Sequence, residues 1–135
     1  MAMDWKFELV LVPVTDIDQA LRFYSEQVGF NVDFDTPVSD TIRIVQLTPP
    51  GSACSILLGG GSQTAPGSLD GLLIVVPDVA VARAELFERG VEVSEVQHYD
   101  GPDLVAGPGG DWNSFAFFRD PDGNGWTLQE RPAAS

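Results

Sequence analysis

The stretch PVTDIDQALRFYSEQVGFNV (13–32) recurs in outline as VPDVAVARAELFERGVEV (76–93). In both copies a β-rich run leads to an aspartate, an apolar helical stripe follows, and a glycine precedes the next β-rich run. Aspartate before such a stripe and glycine after it are residues that begin and end helices. Two copies indicate two equivalent modules and not a solenoid, which needs at least three repeats. The repeat predicts helices over about 16–28 and 78–89.

The similarity continues outward from this repeat. IRIVQLTPPGSACSIL (42–57) aligns with FAFFRDPDGNGWTLQ (115–129), so that TPPG stands where DPDG stands. Both are turn sequences between alternating, β-rich runs. Each module therefore reads βαβββ, with strands expected near 8–14, 30–35, 41–48, 53–58, 71–76, 91–98, 114–119 and 125–131.

The organisation follows from these elements. GGGSQTAPGS (59–68) has the composition of a flexible linker between the modules. We expect a single domain over 1–135, with module one at about 4–58 and module two at about 69–132. Because helices and strands occur in both halves, the predicted class is α+β.

Composition narrows the functional classes. The chain has 135 residues and a net charge of −13, which argues against nucleic acid as a partner. The longest apolar run is too short to cross a bilayer, and no secretion signal is apparent. A single cysteine excludes an intrachain disulfide. A cytoplasmic protein is the expectation.

The sequence resembles the vicinal oxygen chelate superfamily in four features. These are the duplicated βαβββ plan, FY at the end of the first helix, VGF after that helix and DPDGN near the C-terminus. This group includes glyoxalase I, extradiol dioxygenases and bleomycin-resistance proteins. The resemblance covers residues 4–132. It implies two tandem modules that form half-barrel sheets around a cleft, within a homodimer.

The resemblance also implies where a metal would bind. In the metal enzymes of the superfamily, a His or Glu on each first strand and a Glu on each last strand converge on a divalent ion. The corresponding positions here are Leu9, Gly71 or Leu72, Ser55 and Thr127. These side chains are unsuited to Ni, Zn or Fe, so no metal or other cofactor is expected. The alternative is an atypical metal site built from Glu8, Asp70, His98 or Glu130.

Several polar and aromatic residues are candidates for contacting a ligand in the cleft. Ser55 and Thr127 are equivalent in the repeat and are expected to face one another. Arg43 could hold a carboxylate or phenolate, and Gln46 and Gln129 could supply amide contacts. The alternative interpretations are strand packing, an ion pair of Arg43 with an acid, and solvation of the glutamines.

The region after strand 91–98 supplies the remaining candidates. His98 and Tyr99 stand at a strand end beside the loop 99–113, which we expect to be a mobile lid. His98 could act as a general base, and Trp112 and Trp126 could stack on a flat ligand. The alternatives are a solvated His98 and a Trp126 that packs in the core.

The sequence predicts a metal-free binder of a small organic molecule, such as an antibiotic or natural product. The alternative is an enzyme of the same superfamily: a lyase, isomerase or dioxygenase. It would use either atypical metal ligands or His98 as base with Arg43 as oxyanion partner.

Overall fold

The computed structural model describes residues 2–59 and 64–133. The first half contains β1 (Leu9–Val12), α1 (Ile17–Arg22), β2 (Asn31–Pro37), β3 (Arg43–Thr48) and β4 (Ser55–Gly59). The second contains β5 (Leu72–Val76), α2 (Val79–Glu88), β6 (Gln97–Asp100), β7 (Asp103–Ala106), β8 (Phe115–Arg119) and β9 (Gly125–Glu130). In the described ranges, neither helix has the length and apolar character needed to cross a membrane.

Two open sheets confirm the predicted α+β class. The first has the strand order β1-β4-β3-β2, and the second has the order β5-β9-β8-β6-β7. Strands β1 and β5 run parallel to their neighbours β4 and β9, while the remaining pairs are antiparallel. Residues 60–63 of the predicted linker lie outside the described part of the chain.

Both helices begin where the aspartates predicted. Asp16 Oδ1 accepts a 3.0 Å hydrogen bond from the Gln19 amide, and Asp78 Oδ1 accepts one of 3.1 Å from the Val81 amide. After α1 the backbone continues as a π-helical segment, Phe23–Val28. Gly29 then ends the helix in the left-handed region, with φ 93°. Side-chain capping and a terminal glycine thus set the boundaries.

The second half departs from prediction between the helix and β8. Residues 91–98 do not form one strand, and Val93 makes only an isolated bridge to Phe118. Part of the predicted loop 99–113 is instead a β-hairpin, in which β6 pairs with β7 through Tyr99↔Leu104 and its neighbours. Strand β7, Asp103–Ala106, is exposed throughout and has no apolar–polar alternation that could have indicated it.

A single hydrophobic core unites the two halves. One face of the first sheet contributes Val45 and Leu47, and one face of the second contributes Phe118 and Trp126, all buried. The helices supply further members, including the fully buried Tyr24. The opposite face of each sheet, here called its open face, does not belong to this core.

A buried polar network also joins the halves. The Tyr24 hydroxyl donates to Asp120 Oδ2 at 2.7 Å and accepts from Trp126 Nε1 at 2.9 Å. Asp120 Oδ1 accepts three backbone N–H groups of its own turn, those of residues 122–124. Asn124 donates both to Asp120 and to the Pro13 carbonyl. Burial, and then the neighbouring carboxylate, raises the pKa of Tyr24 far above its usual range, so the phenol remains a donor.

Candidate functional site

The open face of the first sheet carries a connected polar network. Gln46 Nε2 donates to Asp33 Oδ2 at 3.1 Å and lies 3.4 Å from Ser55 Oγ. Thr48 Oγ1 hydrogen-bonds to the same Asp33 oxygen and lies 2.6 Å from Ser55 Oγ. Ser55 is 6% exposed, whereas the Asp33 end reaches solvent. The prediction located Gln46 and Ser55 but missed Asp33 and Thr48.

The open face of the second sheet is aromatic. Phe115 and Phe117 are stacked with ring centroids 6.2 Å apart, and Tyr99 contacts Phe115 edge-on at 5.4 Å. Thr127 pairs with Phe117 in the adjacent strand and shares this face. A groove of about 770 Å³ runs over part of the surface, and Leu104 and Arg119 also contribute to it. The aromatic surface, defined as Tyr99, Phe115 and Phe117, therefore offers apolar area beside polar groups.

Ser55 and Thr127, which were expected to face one another, are not hydrogen-bonded to each other. Ser55 hydrogen-bonds within its own sheet, and no hydrogen bond joins the two side chains in the described ranges. A second groove of about 400 Å³ does have Ser55 on one side and Leu73 of β5 on the other. The polar network therefore lies close to the boundary between the sheets.

Arg43 does not lie on the open face. Its guanidinium donates to Asp35 through Nε and Nη2, both at 2.8 Å, and to Asp18 through Nη1 at 2.7 Å. The hydrogen bonding between Arg43 and Asp35 lowers the pKa of Asp35 and raises the pKa of Arg43. Arg43 therefore forms the ion pair that was the alternative to ligand contact.

The pairing registers of the two hairpins explain this misplacement. Gln46 pairs with Leu57, and Phe115 pairs with Gln129, the residue that the alignment of TPPG with DPDG matches to Leu57. Phe115 is therefore the equivalent of Gln46, three residues after Arg43, and because side chains alternate between faces this odd offset exchanges the faces. Phe115 consequently points to the open face, while Arg43 shares the face of Val45 and Leu47.

Substituting Arg43 by glutamine is expected to lower thermal stability modestly and to leave ligand affinity unchanged. The pKa of Asp35 is depressed in the folded chain, so its stabilising pair is present above its ordinary value of 3.8 and is lost as the pH falls through the folded value. Melting curves of both proteins should therefore differ at pH 7 and converge in strong acid. A large loss of ligand affinity in Arg43→Gln would contradict this assignment.

Trp126 and His98 also lie away from the open faces. Trp126 is 4% exposed and stacks on Phe118 at 6.0 Å, so it is a core residue, as its alternative interpretation held. His98 lies on the opposite side of its strand from Tyr99, and its Nδ1 lies 2.8 Å from the Gly107 carbonyl. His98 therefore secures the backbone after the hairpin and is not presented to a ligand on the aromatic surface.

The segment after the hairpin is fastened at several points, which differs from the expected free lid. The Asn113 side chain exchanges two 2.9 Å hydrogen bonds with the Tyr99 backbone. Gln129 Nε2 donates to the Trp112 carbonyl at 2.8 Å, so its amide holds backbone. Trp112 has φ 60°, an uncommon conformation for a non-glycine residue, and its side chain is 52% exposed. Of the two predicted stacking residues, Trp112 remains accessible.

The expected metal positions do not fit a metal ion. Leu9 lies opposite Ser55, and the equivalent partner of Thr127 is Leu73, in place of the predicted Gly71 or Leu72. Two leucines and two hydroxyls provide no imidazole, thiolate or carboxylate. Across residues 2–59 and 64–133, no three His, Cys, Asp or Glu side chains are grouped to hold a metal. In the alternative set, Glu130 accepts a hydrogen bond from the Val79 amide and Asp70 accepts one from the Gly71 amide.

The sequence reasoning also missed residues that form both open faces. Asp33, Thr48, Phe117 and Leu104 were not named as candidates. Strand alternation carried a signal for two of them: Thr48 follows Gln46 by two positions, and Phe117 follows Phe115 by two. Asp33 carried no such signal, because the pairing of β2 shifts register between Val32 and Phe34.

Comparison with known proteins gives consistent matches. The family model "Glyoxalase/Bleomycin resistance protein/Dioxygenase superfamily" matches residues 6–128. The antibiotic binding protein TnmS3 from Streptomyces sp. CB03234 is 38% identical, with 98% of this chain and 99% of that chain covered and a TM-score of 0.77. A glyoxalase/bleomycin resistance protein from the same organism is 38% identical, and the match covers 92% of this chain and 99% of that chain, with a TM-score of 0.73. A superfamily member from Sphaerobacter thermophilus is 28% identical, and the match covers 96% of this chain and 100% of that chain, with a TM-score of 0.76. No curated protein matches the sequence.

Proposed function

Because the chain belongs to the glyoxalase/bleomycin resistance protein/dioxygenase superfamily, we propose that it is a metal-free member that binds a small organic molecule, an antibiotic or other natural product. The similarity to an antibiotic binding protein supports this choice within a family of diverse activities. A cytoplasmic location accords with such a role.

The observation that carries the proposal is the aromatic surface on the second sheet. Tyr99 is 46% exposed, and Phe115 and Phe117 are only partly buried, although large aromatic side chains gain from full burial. Ligand sites combine such apolar area with a few polar groups that fix orientation. Thr127 and Arg119 provide polar groups beside the aromatic rings.

Native mass spectrometry of the purified protein tests the proposal. We expect no stoichiometric Ni, Zn, Fe or Mn, because the four family metal positions hold two leucines, a serine and a threonine. A panel of natural-product antibiotics should yield at least one adduct that also raises the melting temperature. A tightly bound transition metal at one per chain would contradict the metal-free assignment. A panel without any adduct would contradict the binding function.

The catalytic alternative has less support from the geometry. Its proposed base, His98, hydrogen-bonds to a backbone carbonyl, and its proposed oxyanion partner, Arg43, is held by two aspartates. Neither side chain reaches an open face. Turnover that is abolished in His98→Ala would revive the alternative.

We also propose that the protein is a homodimer. Apolar residues remain exposed on the edge strand β5, with Leu73 at 53% and Val75 at 44%, and in the N-terminal segment, with Trp5 at 88% and Phe7 at 85%. A second copy can cover such edges and patches. Light scattering at tens of micromolar should report twice the chain mass of 14.5 kDa. A Leu73→Asp substitution should shift the mass toward the monomer, and a monomeric unaltered protein would contradict the proposal.

A further inference from the structure

The hydrogen atoms of the polar network on the first sheet have one consistent arrangement. A carboxylate has no hydrogen to give, so the Thr48 hydroxyl donates to Asp33. Thr48 Oγ1 then accepts from Ser55 Oγ, which lies 2.6 Å away. Gln46 must turn its nitrogen toward Asp33, and the same nitrogen faces Ser55. The donor hydrogens of the network are therefore directed inward.

Two acceptor atoms of the network are not used within it. Asp33 Oδ1 and Gln46 Oε1 have no hydrogen-bond partner in the described part of the chain, although both residues are bonded through their other atoms. No Lys or Arg side chain forms an ion pair with Asp33 among those residues. An unpaired acceptor pair attracts a group that offers hydrogens, and a carboxylate prefers one that is also cationic.

We propose that this network selects ligands that carry a hydrogen-bond donor, with a protonated amine preferred over a hydroxyl and a carboxylate disfavoured. The inference rests on the proposed binding function and specifies the chemistry of its ligand. The net charge of −13 favours the same choice, because the surrounding potential attracts cations and repels anions. Selection by this network is distinct from the general effect of charge, because it depends on Asp33 in particular.

Three fluorescent probes of similar shape test the selection: 9-(aminomethyl)anthracene, 9-anthracenemethanol and anthracene-9-carboxylate. Titration at 150 mM salt should rank them in that order, with the ammonium about tenfold or more tighter than the carboxylate. Asp33→Asn should weaken the ammonium about tenfold and leave the carboxylate unchanged or tighter. Asp103→Asn makes the same charge change on the exposed hairpin and should leave the ranking unaltered.

Each outcome bears on the proposal. Equal binding of the three probes, or equal weakening by Asp33→Asn and Asp103→Asn, would overturn donor selection and leave the binding function standing. Failure of all three probes to bind the unaltered protein would count against both. Circular dichroism checks that the variants fold. Gln46→Met, which removes the second acceptor, repeats the measurement if Asp33→Asn does not fold, and it too should reduce the preference for the ammonium.

Discussion

Replacing Asp120 with alanine is expected to lower the free energy of unfolding by about 3–5 kcal/mol. The Asp120 carboxylate is 5% exposed and accepts five hydrogen bonds, from Tyr24, from the Asn124 side chain and from three backbone amides. Alanine would remove the acceptor of the buried Tyr24 hydroxyl and a partner of the buried Asn124 amide groups. Urea denaturation followed by circular dichroism measures the loss.

Two further variants separate the network from a general effect of mutation. Tyr24→Phe removes one hydroxyl and should cost about 1–3 kcal/mol, less than Asp120→Ala. Asp40→Ala removes an exposed aspartate from the connection between β2 and β3 and should change stability little. If Asp120→Ala were no more destabilising than Asp40→Ala, the network would not be a principal link between the halves.

Replacing Phe117 with alanine is expected to weaken ligand binding about 10- to 50-fold, equivalent to about 1.5–2.5 kcal/mol of lost apolar contact. Phe117 lies on the open face, in the groove and stacked on Phe115, so truncation removes ring surface from the part of the aromatic surface that lines the groove. Titration with 9-anthracenemethanol, which carries no charge, measures this contribution without the charge–charge attraction to Asp33.

The matched control for this substitution is Phe87→Ala. Phe87 is 62% exposed on α2 and lies beneath the Arg83 guanidinium, away from the aromatic surface. Its truncation should leave the probe affinity within about twofold of the unaltered protein. Equal losses in the two variants would show that the probe binds elsewhere.

The fold could be predicted because its signals are local and occur twice. Asp16 and Asp78 accept from amides three residues later, which is the behaviour expected of such residues before an apolar stripe. Gly29 and Gly90 adopt positive φ at the helix ends, as glycine alone does readily. Neither inference required knowledge of which residues meet across the molecule.

The candidate site could be predicted only in part, because it depends on pairing between strands. Of the residues named as candidates, Gln46, Ser55, Tyr99 and Thr127 lie on open faces. Arg43 was misplaced because the pairing registers of the two hairpins differ by three residues, and Asp33 was missed because of a register shift in β2. The position of Trp126 in the core could not be predicted for another reason. A tryptophan in a strand has the same sequence pattern whether it packs in the core or contacts a ligand.

The unequal pairing registers of the hairpins β3–β4 and β8–β9 have a consequence for how duplicated proteins diverge. Duplication supplies two copies of one backbone plan with the same order of residues. Adding or removing an odd number of residues between two paired strands then changes which side chains the neighbouring strand presents outward, although the strand itself keeps its length. The two halves of this chain, one polar and one aromatic on the outward face, therefore illustrate a route to new chemistry through small insertions and deletions in turns, accompanied by substitutions that restore the core.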